Sequence, residues 1–370
     1  MPVPLFDPRT PLEPLQADLR AATARVLDSG AFILGPEVEA FEAEFAAYVG
    51  ARHAVGVANG TEALTIALRA LGVGPGDDVV VPSFSFYASA EAIPPTGARP
   101  VFCDVDPETM LVTAETVRAA LTPATKAVIA VHLFGNVAPV AEIEALGVPV
   151  VEDAAQAAGS RGADGRRPGA VGAVATFSFY PSKNLGAFGD GGAITTTDDE
   201  VAERVRTLRF HGSRDKVTYT EVGYNSRLDE LQAAILRVQL PHLDGWAAHR
   251  ARVHEWYAEA GLGEHVALPV PTPGTTAAWH VYVVRAERAD DLLAGLNAAG
   301  IGARPYYRVP IHRQPAMAHL VPADGHGRPS LPGTEEAART HLALPVSAAI
   351  TREQVGEVVD AVRRCGSGST

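Results

Sequence analysis

The sequence predicts an α/β protein whose larger part is a mostly parallel sheet of about seven strands between helices. The first observation is an alternation of short, continuous apolar runs with helical patterns in the first part of the chain. The second is a change of this pattern near residue 245, where a smaller domain is predicted to begin. The seven strand-like runs span 53–58, 79–82, 99–103, 126–131, 148–151, 173–180 and 191–196.

Two helices of the first part are predicted from the spacing of apolar residues. Segment 36–49 has Pro36 at a favourable first position and Gly50 as its stop. Segment 61–71 carries one apolar stripe. The apolar positions are Val38, Phe41, Phe45, Tyr48 and Val49 in the first helix, and Leu64, Ala67, Leu68 and Leu71 in the second.

The last third of the chain is predicted to form a smaller α+β domain. Residues 228–257 have a helical pattern, 280–284 are typical of a strand, and 351–364 predict a closing helix. Pro and Gly indicate loops at 269–274 and near 321–333. Because 370 residues exceed one ordinary domain, we predict a large domain at 1–245 and a small domain at 246–370.

Composition excludes several classes of protein. A net charge of -12 makes non-specific binding of nucleic acid improbable, so we expect no nucleic-acid partner. The two cysteines, Cys103 and Cys365, supply neither a disulfide framework nor a Cys-rich metal site, and we expect no metal. No signal-peptide pattern follows Met1, and no apolar run has the length of a membrane span. We therefore expect a cytoplasmic protein without a membrane partner.

Ligands of open α/β sheets bind at the carboxyl ends of strands, so the residues after each strand are the candidates. After the first strand, Gly60 permits close approach of a ligand, and Thr61 opens a helix whose free N–H groups favour an anion such as phosphate. The alternative is a plain glycine turn with Thr61 as N-cap. No Walker A loop or dinucleotide-binding glycine fingerprint is present.

Aromatic residues and an acid follow two further strands. The run 82–89 contains Phe84, Phe86 and Tyr87, which either pack in the core or stack on a flat ligand ring. Asp153 follows the strand at 148–151, where a buried carboxylate requires a partner such as a protonated pyridine nitrogen. Gln156 lies three residues further on and could bind a phenolic oxygen. The alternative is that Asp153 caps the next helix.

The segment 176–193 contains the strongest candidate, Lys183, which lies among aromatic residues, small residues and glycines with almost no acid nearby. Loss of hydration lowers the pKa of an ammonium group and makes it a nucleophile that can form a Schiff base. Ser178 is a candidate for phosphate binding. The alternative is a solvated lysine in a loop. Downstream, 223–232 precedes a long amphipathic helix, which Asn225 or Ser226 could cap.

Taken together, these motifs resemble the sugar aminotransferases of the DegT type. The resemblance rests on the lysine after a Ser-Phe-Tyr strand, Asp153 with Gln156, the Asn-Gly-Thr turn and Gly-Tyr-Asn-Ser-Arg-Leu-Asp at 223–229. It is strong from about residue 30 to residue 260 and looser towards the C-terminus. It implies the PLP-transferase type I fold, with pyridoxal 5'-phosphate (PLP) as cofactor.

The resemblance also implies a role for each matching position. Lys183 would bind PLP covalently and shuttle a proton, and Asp153 would keep the pyridine nitrogen protonated. Gln156 would bind the ring oxygen. Asn225 would reach the phosphate in the neighbouring subunit, which requires a homodimer with shared active sites. Phe86, in preference to Phe84 or Tyr87, would stack on the ring; Gly60, Thr61 and Ser178 would hold the phosphate; His312 and Arg227 would contact substrate.

The implied reaction moves an amino group from glutamate to a keto sugar carried by a nucleotide, in the biosynthesis of deoxyaminosugars such as those of antibiotics. The sequence around Lys183 and at 223–229 most resembles that of family members that aminate C3 of a dTDP-linked 3-keto-6-deoxyhexose. Two alternatives to amination at C3 stay open: amination at C4, and amination of another ketone. Some members have histidine at the lysine position and remove a hydroxyl group, so Lys183 disfavours a dehydratase. A non-catalytic PLP-binding regulator would need a nucleic-acid-binding module, for which this acidic chain gives no signal.

Overall fold

The computed structural model describes residues 2–320 and 329–367 and contains the predicted seven-stranded, mostly parallel sheet. The strand order is β1-β7-β6-β5-β4-β2-β3, in which β7 is antiparallel to both neighbours and all other pairs are parallel. The strands are β1 (His53–Val57), β2 (Asp78–Pro82), β3 (Arg99–Cys103), β4 (Thr125–Val131), β5 (Val150–Asp153), β6 (Val174–Ser178) and β7 (Gly192–Thr196). Two further strands, β8 (Tyr282–Arg285) and β9 (His341–Leu344), form a separate antiparallel pair.

Helices cover both faces of the large sheet and flank the small one. They are α1 (Gln16–Ser29), α2 (Pro36–Val49), α3 (Gly60–Ala70), α4 (Ala88–Glu91), α5 (Ala114–Ala120), α6 (Val140–Glu144), α7 (Asp199–Arg209), α8 (Glu230–Gln239), α9 (Leu243–Glu259), α10 (Ala289–Ala298), α11 (Pro332–Thr340) and α12 (Arg352–Ser367). Short 3-10 helices lie at Thr10–Leu15, Pro94–Thr96, Leu133–Gly135, Leu240–His242, Leu262–Glu264, Ile311–Arg313 and Pro315–Met317.

The predicted helices are largely confirmed, with one interruption. Helix α2 begins at Pro36 and ends before Gly50, which adopts a φ of 84° that suits glycine. The helical stretch predicted at 228–257 is divided into α8 and α9 by the 3-10 turn Leu240–His242. Pro241 lies in this turn and has no N–H to donate, so the α-helical hydrogen-bond pattern cannot continue through it.

Two apolar layers hold the helices against the large sheet. On one face, α3 buries Ile66 and Leu68 against the parallel strands. On the other face, Phe45 of α2 meets Phe177 of β6 edge-on, with ring centroids 4.9 Å apart. Continuous burial of the strands on both faces explains why they appear in the sequence as unbroken apolar runs.

The small sheet has its own core with α10 and α12, as an α+β unit requires. Strand β8 and helix α12 were predicted, whereas β9, α10 and α11 were not. Residues 321–328 of the second predicted loop lie outside the described residues, and α11 already begins at Pro332. Val3 is buried in this core and pairs with Ile301, so the start of the chain packs with its last third. The division at residue 245, which falls within α9, stays a prediction.

Within residues 2–320 and 329–367, no helix combines the length and apolar character that crossing a bilayer demands.

Candidate active site

A cavity of about 800 Å³ opens at the carboxyl edge of the large sheet. Strands β5 and β6 end there, and the turn between β1 and α3 adjoins them. The last third of the chain closes the opposite side with Arg304, Tyr306 and Tyr307. Seven of the predicted site residues line this cavity: Gly60, Thr61, Phe86, Asp153, Gln156, Ser178 and Lys183.

The N-terminus of α3 forms one end of the cavity. Asn59 is the N-cap, since its side chain accepts a hydrogen bond from Glu62 N at 2.8 Å; the alternative that Thr61 is the cap is therefore wrong. The N–H groups of Gly60 and Thr61 find no acceptor among the described residues. A Cβ at position 60 would lie 2.8 Å from Ser178 Cβ, so glycine permits this close approach. The resulting corner offers two backbone donors and one hydroxyl, the donor set of a phosphate site.

Asp153 is the last residue of β5 and is buried at the cavity wall. Its Oδ2 accepts a hydrogen bond from Ser89 Oγ at 2.8 Å, and Ser89 is in turn 2.9 Å from Ser85 Oγ. Asp153 has no ion pair with a basic side chain of the described chain. No helix follows β5 before α7 within the described residues, so the alternative of a helix-capping role is wrong. A buried carboxylate without a cationic partner suits a ligand that brings the positive charge.

The preceding residue, Glu152, anchors the end of β5 from the opposite face. His132 Nε2 lies 2.9 Å from Glu152 Oε2, and backbone N–H groups of Gly169, Val171 and Gly172 donate to the same carboxylate. Burial alone would raise the pKa of Glu152, but the hydrogen bonds and the charge of His132 hold it below its ordinary value. This fully satisfied group holds the strand end rigidly and thereby positions Asp153.

Gln156 connects the large sheet to the last third of the chain. Its Oε1 accepts from Phe134 N at 2.7 Å, and its Nε2 donates to the Tyr307 hydroxyl at 3.2 Å. Burial raises the pKa of Tyr307, so this hydroxyl stays protonated. Gln156 thus presents an amide donor inside the cavity, as its predicted contact with a ring oxygen requires.

Of the three aromatic candidates after β2, Phe86 alone lines the cavity. Its side chain is 53% exposed, whereas Phe84 is 1% exposed and packs edge-on against His341 at 5.2 Å between centroids. The Phe86 ring lies 5.8 Å from the ring of Tyr307. Phe86 can therefore stack on a flat ligand, while Phe84 belongs to the core.

Lys183 follows β6 in a tight turn, in which Lys183 N donates to Tyr180 O at 2.8 Å. A Cβ at Gly186 would lie 2.6 Å from Pro181 O, so glycine is required for the chain to fold back here. Burial lowers the pKa of Lys183 to about 8, although the carboxylate of Asp153 acts in the opposite direction. The sequence contains three lysines, and the other two, Lys126 and Lys216, are exposed. Lys183 is accordingly the lysine best suited to act as a nucleophile near neutral pH.

Three predicted residues do not join this cavity in the described chain. Asn225 is exposed and accepts a hydrogen bond from Arg227, and neither residue is part of the lining. His312 is buried, with Nδ1 2.6 Å from Ser83 Oγ and Nε2 3.4 Å from Glu335 Oε1. The location of His312 therefore does not support the prediction that it contacts substrate.

Several lining residues were missed by the sequence reasoning, chiefly His280, Arg304, Tyr306 and Tyr307. The strand at 280–284 was predicted, but a single strand does not reveal that His280 faces a cavity formed by distant residues. The segment 306–312 had been singled out in the sequence for His312 alone. In the structure, Tyr306 and Tyr307 of this segment line the cavity, and His312 does not.

Residues 14–363 match the model of the DegT/DnrJ/EryC1/StrS aminotransferase family. The chain belongs to this family. A dTDP-3-amino-3,4,6-trideoxy-alpha-D-glucose transaminase of Streptomyces venezuelae is 48% identical, over 98% of this chain and 95% of its own length. A UDP-N-acetyl-3-dehydro-alpha-D-glucosamine 3-aminotransferase of Acidithiobacillus ferrooxidans is 42% identical, over 98% of this chain and 97% of its own length. The crystal structure of DesV from S. venezuelae in complex with a ketimine intermediate has a TM-score of 0.94 and 47% identity, and each chain covers 100% of the other.

This DegT/DnrJ/EryC1/StrS family member is a PLP-dependent aminotransferase that acts on nucleotide sugars, and its type I fold is that of PLP enzymes. Two structural observations agree with the cofactor. The corner at Gly60, which a Cβ would fill, has the donors for a phosphate. Asp153 supplies a buried negative charge that forms no direct ion pair with a basic side chain in the described chain.

Proposed function

We propose that this enzyme transfers an amino group from glutamate to C3 of a dTDP-linked 3-keto-6-deoxyhexose, in the biosynthesis of a deoxyaminosugar. The observation that carries the chemistry is the Lys183 amine with its lowered pKa in the same cavity as Asp153. The position of amination is inferred from the S. venezuelae and A. ferrooxidans relatives, whose names both place nitrogen at carbon 3. We choose dTDP as the nucleotide because the S. venezuelae relative is named for a dTDP sugar and because of the sequence motifs around Lys183 and Asn225.

Each site residue then has a defined task. The bound cofactor supplies an electron sink that stabilises negative charge at the carbon next to the transferred nitrogen. Asp153 holds the proton on the pyridine nitrogen through its buried charge. Gly60, Thr61 and Ser178 bind the phosphate, Phe86 covers one face of the ring, and Gln156 donates to its phenolic oxygen.

Lys183 Nζ is the group that moves protons during the reaction. A pKa of about 8 means that the amine loses and recovers a proton with little cost near neutral pH. The enclosing wall of Tyr306, Tyr307 and Phe86 limits the access of water to this atom. An exposed lysine with an ordinary pKa would be protonated almost completely under the same conditions.

We also infer that the active enzyme is a homodimer in which Asn225 reaches the cofactor phosphate of the partner. The support is that Asn225 lies outside the cavity of its own chain although its motif is typical of the family's phosphate contacts. Arg227 is its neighbour and would bring positive charge to the same place. Glutamate as donor is likewise part of this proposal.

A panel of substrates tests the proposal. The purified enzyme is incubated with glutamate and with dTDP- or UDP-linked sugars bearing a ketone at C3 or at C4. We expect efficient amination of the dTDP-linked 3-keto-6-deoxyhexose, formation of 2-oxoglutarate, and NMR signals that place nitrogen on C3. Lys183→Ala is the control and should give no product. Amination of 4-keto sugars alone would overturn the position, while turnover with UDP sugars alone would overturn the nucleotide.

A further inference from the structure

A second cavity of about 350 Å³ adjoins the main one and shares Phe6, Ser182 and Lys183 with it. Its wall is formed by the start of the chain, by the turn after Lys183 and by helix α9. This volume is large enough for an amino acid and much smaller than the main cavity. A ligand here would reach the Lys183 side chain without contacting Phe86 or Tyr307, which line only the main cavity.

Arg250 of α9 brings an uncompensated positive charge to this second cavity. Its NH1 donates to Trp279 O at 3.2 Å, but its Nε is covered by protein and has no hydrogen-bond partner in the described chain. It forms no ion pair among residues 2–320 and 329–367. Burial lowers the pKa of Arg250 to about 10, because the surrounding protein solvates the positive charge less well than water does. A guanidinium in such a place is costly unless an anion binds beside it.

His280 lies close enough to Lys183 and Arg250 for their positive charges to affect its protonation. Its side chain is 4% exposed, and its Nδ1 is covered without a partner in the described chain. Burial, reinforced by the charges of Lys183 and Arg250, lowers the pKa of His280 well below its ordinary value, so the ring is neutral. His280 lines the main cavity and not the second one, so Lys183 and Arg250 bring positive charge to the second cavity without a cationic or anionic contribution from this ring.

Asn184 lines the same cavity with an amide that the protein holds in place. Its Nδ2 donates to Ala158 O at 3.2 Å and Ala278 O at 3.1 Å, which fixes the orientation of the amide. Its Oδ1 is covered and has no partner in the described chain. The acid of the lining, Asp7, is already engaged, because its Oδ1 accepts from the N–H groups of residues 9 and 10. Because Asn184 Oδ1 and Arg250 Nε are both covered, the group that a carboxylate in the cavity can reach is the remaining part of the Arg250 guanidinium, which lines the wall.

We propose that the second cavity binds the carboxylate of the α-amino acid that donates the amino group, with Arg250 as its anion-binding residue. This inference rests on the proposed transamination and identifies where its donor is recognised. Two other arginines compete for this role. Arg9 lines the same cavity, but it is exposed and its Nε lies 3.7 Å from Glu13 Oε1, so its charge is already solvated and paired. Arg304 is also exposed, and it lines the larger cavity, which has room for a nucleotide diphosphate. Separate positions for the two anions would let one Lys183 serve both substrates in turn.

The test compares two half-reactions and one binding measurement on the PLP-loaded enzyme. Glutarate, which has the carboxylates of glutamate but no amine, is titrated by calorimetry. Single-turnover absorbance then follows L-glutamate with the PLP form, and the keto sugar with the aminated form. The variants are Arg250→Gln and Arg250→Lys, with Arg304→Gln for the competing cation. Arg252→Gln is the matched control, since Arg252 is exposed two residues further along α9.

We expect Arg250→Gln to weaken glutarate binding and to raise the apparent Kd for L-glutamate by about 10- to 100-fold, the usual effect of losing a charged hydrogen-bond partner. The keto-sugar half-reaction and the melting temperature should change little. Arg250→Lys should restore part of the glutarate affinity, and Arg252→Gln should match wild type. This combination separates carboxylate binding from a structural role through the contact with Trp279 O.

Two results would overturn the inference. One is an unchanged glutarate Kd in Arg250→Gln, or a loss seen in Arg304→Gln instead. The other is a parallel fall of both half-reactions and of the melting temperature, which would make Arg250 a structural residue. If the wild-type enzyme aminates none of the nucleotide sugars but binds glutarate through Arg250, the proposed function fails and the carboxylate site stands.

Discussion

Replacing Lys183 by methionine should stabilise the PLP-free protein at neutral pH. The folded chain lowers the pKa of Lys183 from 10.5 to about 8, chiefly because burial removes water from the ammonium group. Below pH 8 both the folded and the unfolded chain carry the proton, so folding bears the full cost of burying the charge. Above pH 10.5 both are neutral and the cost disappears. The stability of the wild-type apoenzyme should therefore rise with pH across this window.

The magnitude follows from the same two values. At 1.36 kcal/mol per pH unit, the lowered pKa corresponds to roughly 3 kcal/mol of destabilisation at pH 7. The free energy of unfolding of Lys183→Met should exceed that of wild type by up to this amount at pH 7. Between pH 7 and pH 10 the contribution of the charge should shrink by about 2 kcal/mol. Any gain from the apolar methionine side chain is independent of pH and cancels in this comparison.

The assay is urea unfolding of the apoenzymes at pH 7, 8.5 and 10, at one protein concentration. Lys126→Met is the matched control because Lys126 is exposed, and its stability difference from wild type should not vary over this range. A difference between Lys183→Met and wild type that stays constant with pH would refute the reasoning. A difference that widens with pH would refute it as well.

Four further results are expected. Borohydride reduction of the PLP-loaded enzyme should fix the cofactor on Lys183, as mapped by mass spectrometry, and an adduct on either of the other two lysines would exclude this role. Asp153→Asn should slow the glutamate half-reaction by orders of magnitude with little change in melting temperature, because the buried charge is lost, and near-wild-type rates would reject that role. Gly60→Ala should weaken PLP binding at least about tenfold in a spectroscopic titration, since the new Cβ meets Ser178 Cβ at 2.8 Å, and unchanged affinity would place the phosphate elsewhere. Mixing Lys183→Ala with Asn225→Ala subunits should restore roughly a quarter of the wild-type activity through mixed dimers, whereas a fully active monomer in sedimentation would contradict shared sites.

Local patterns in the sequence were sufficient to predict the large sheet and to place Lys183 and Asp153 at one edge of it. The runs that form β1 to β7 are largely buried on both faces, so four to seven consecutive residues are enough to identify each of them as a strand. Helix α2 carries both its start and its stop signal at its own ends. Lys183 and Asp153 were identifiable because each follows a strand, and strand ends meet at one edge of a parallel sheet.

Contacts between distant parts of the chain were decided only by the tertiary structure. The sequence offered Phe84, Phe86 and Tyr87, and only the resemblance to the family favoured Phe86; packing buries Phe84 and exposes Phe86 to the cavity. The hydrogen bond between Gln156 and Tyr307 joins residues 151 positions apart, and no periodic pattern relates them.

The second cavity is the clearest example of this division. Arg250 appears in the sequence as one arginine of a helix, and His280 as the first residue of a predicted strand. The approach of both residues to Lys183 results from how the last third of the chain packs on the first. Periodicity reports which face of an element is covered, but the identity of the covering residues, and hence the local charge balance, depends on the arrangement of all the elements around it.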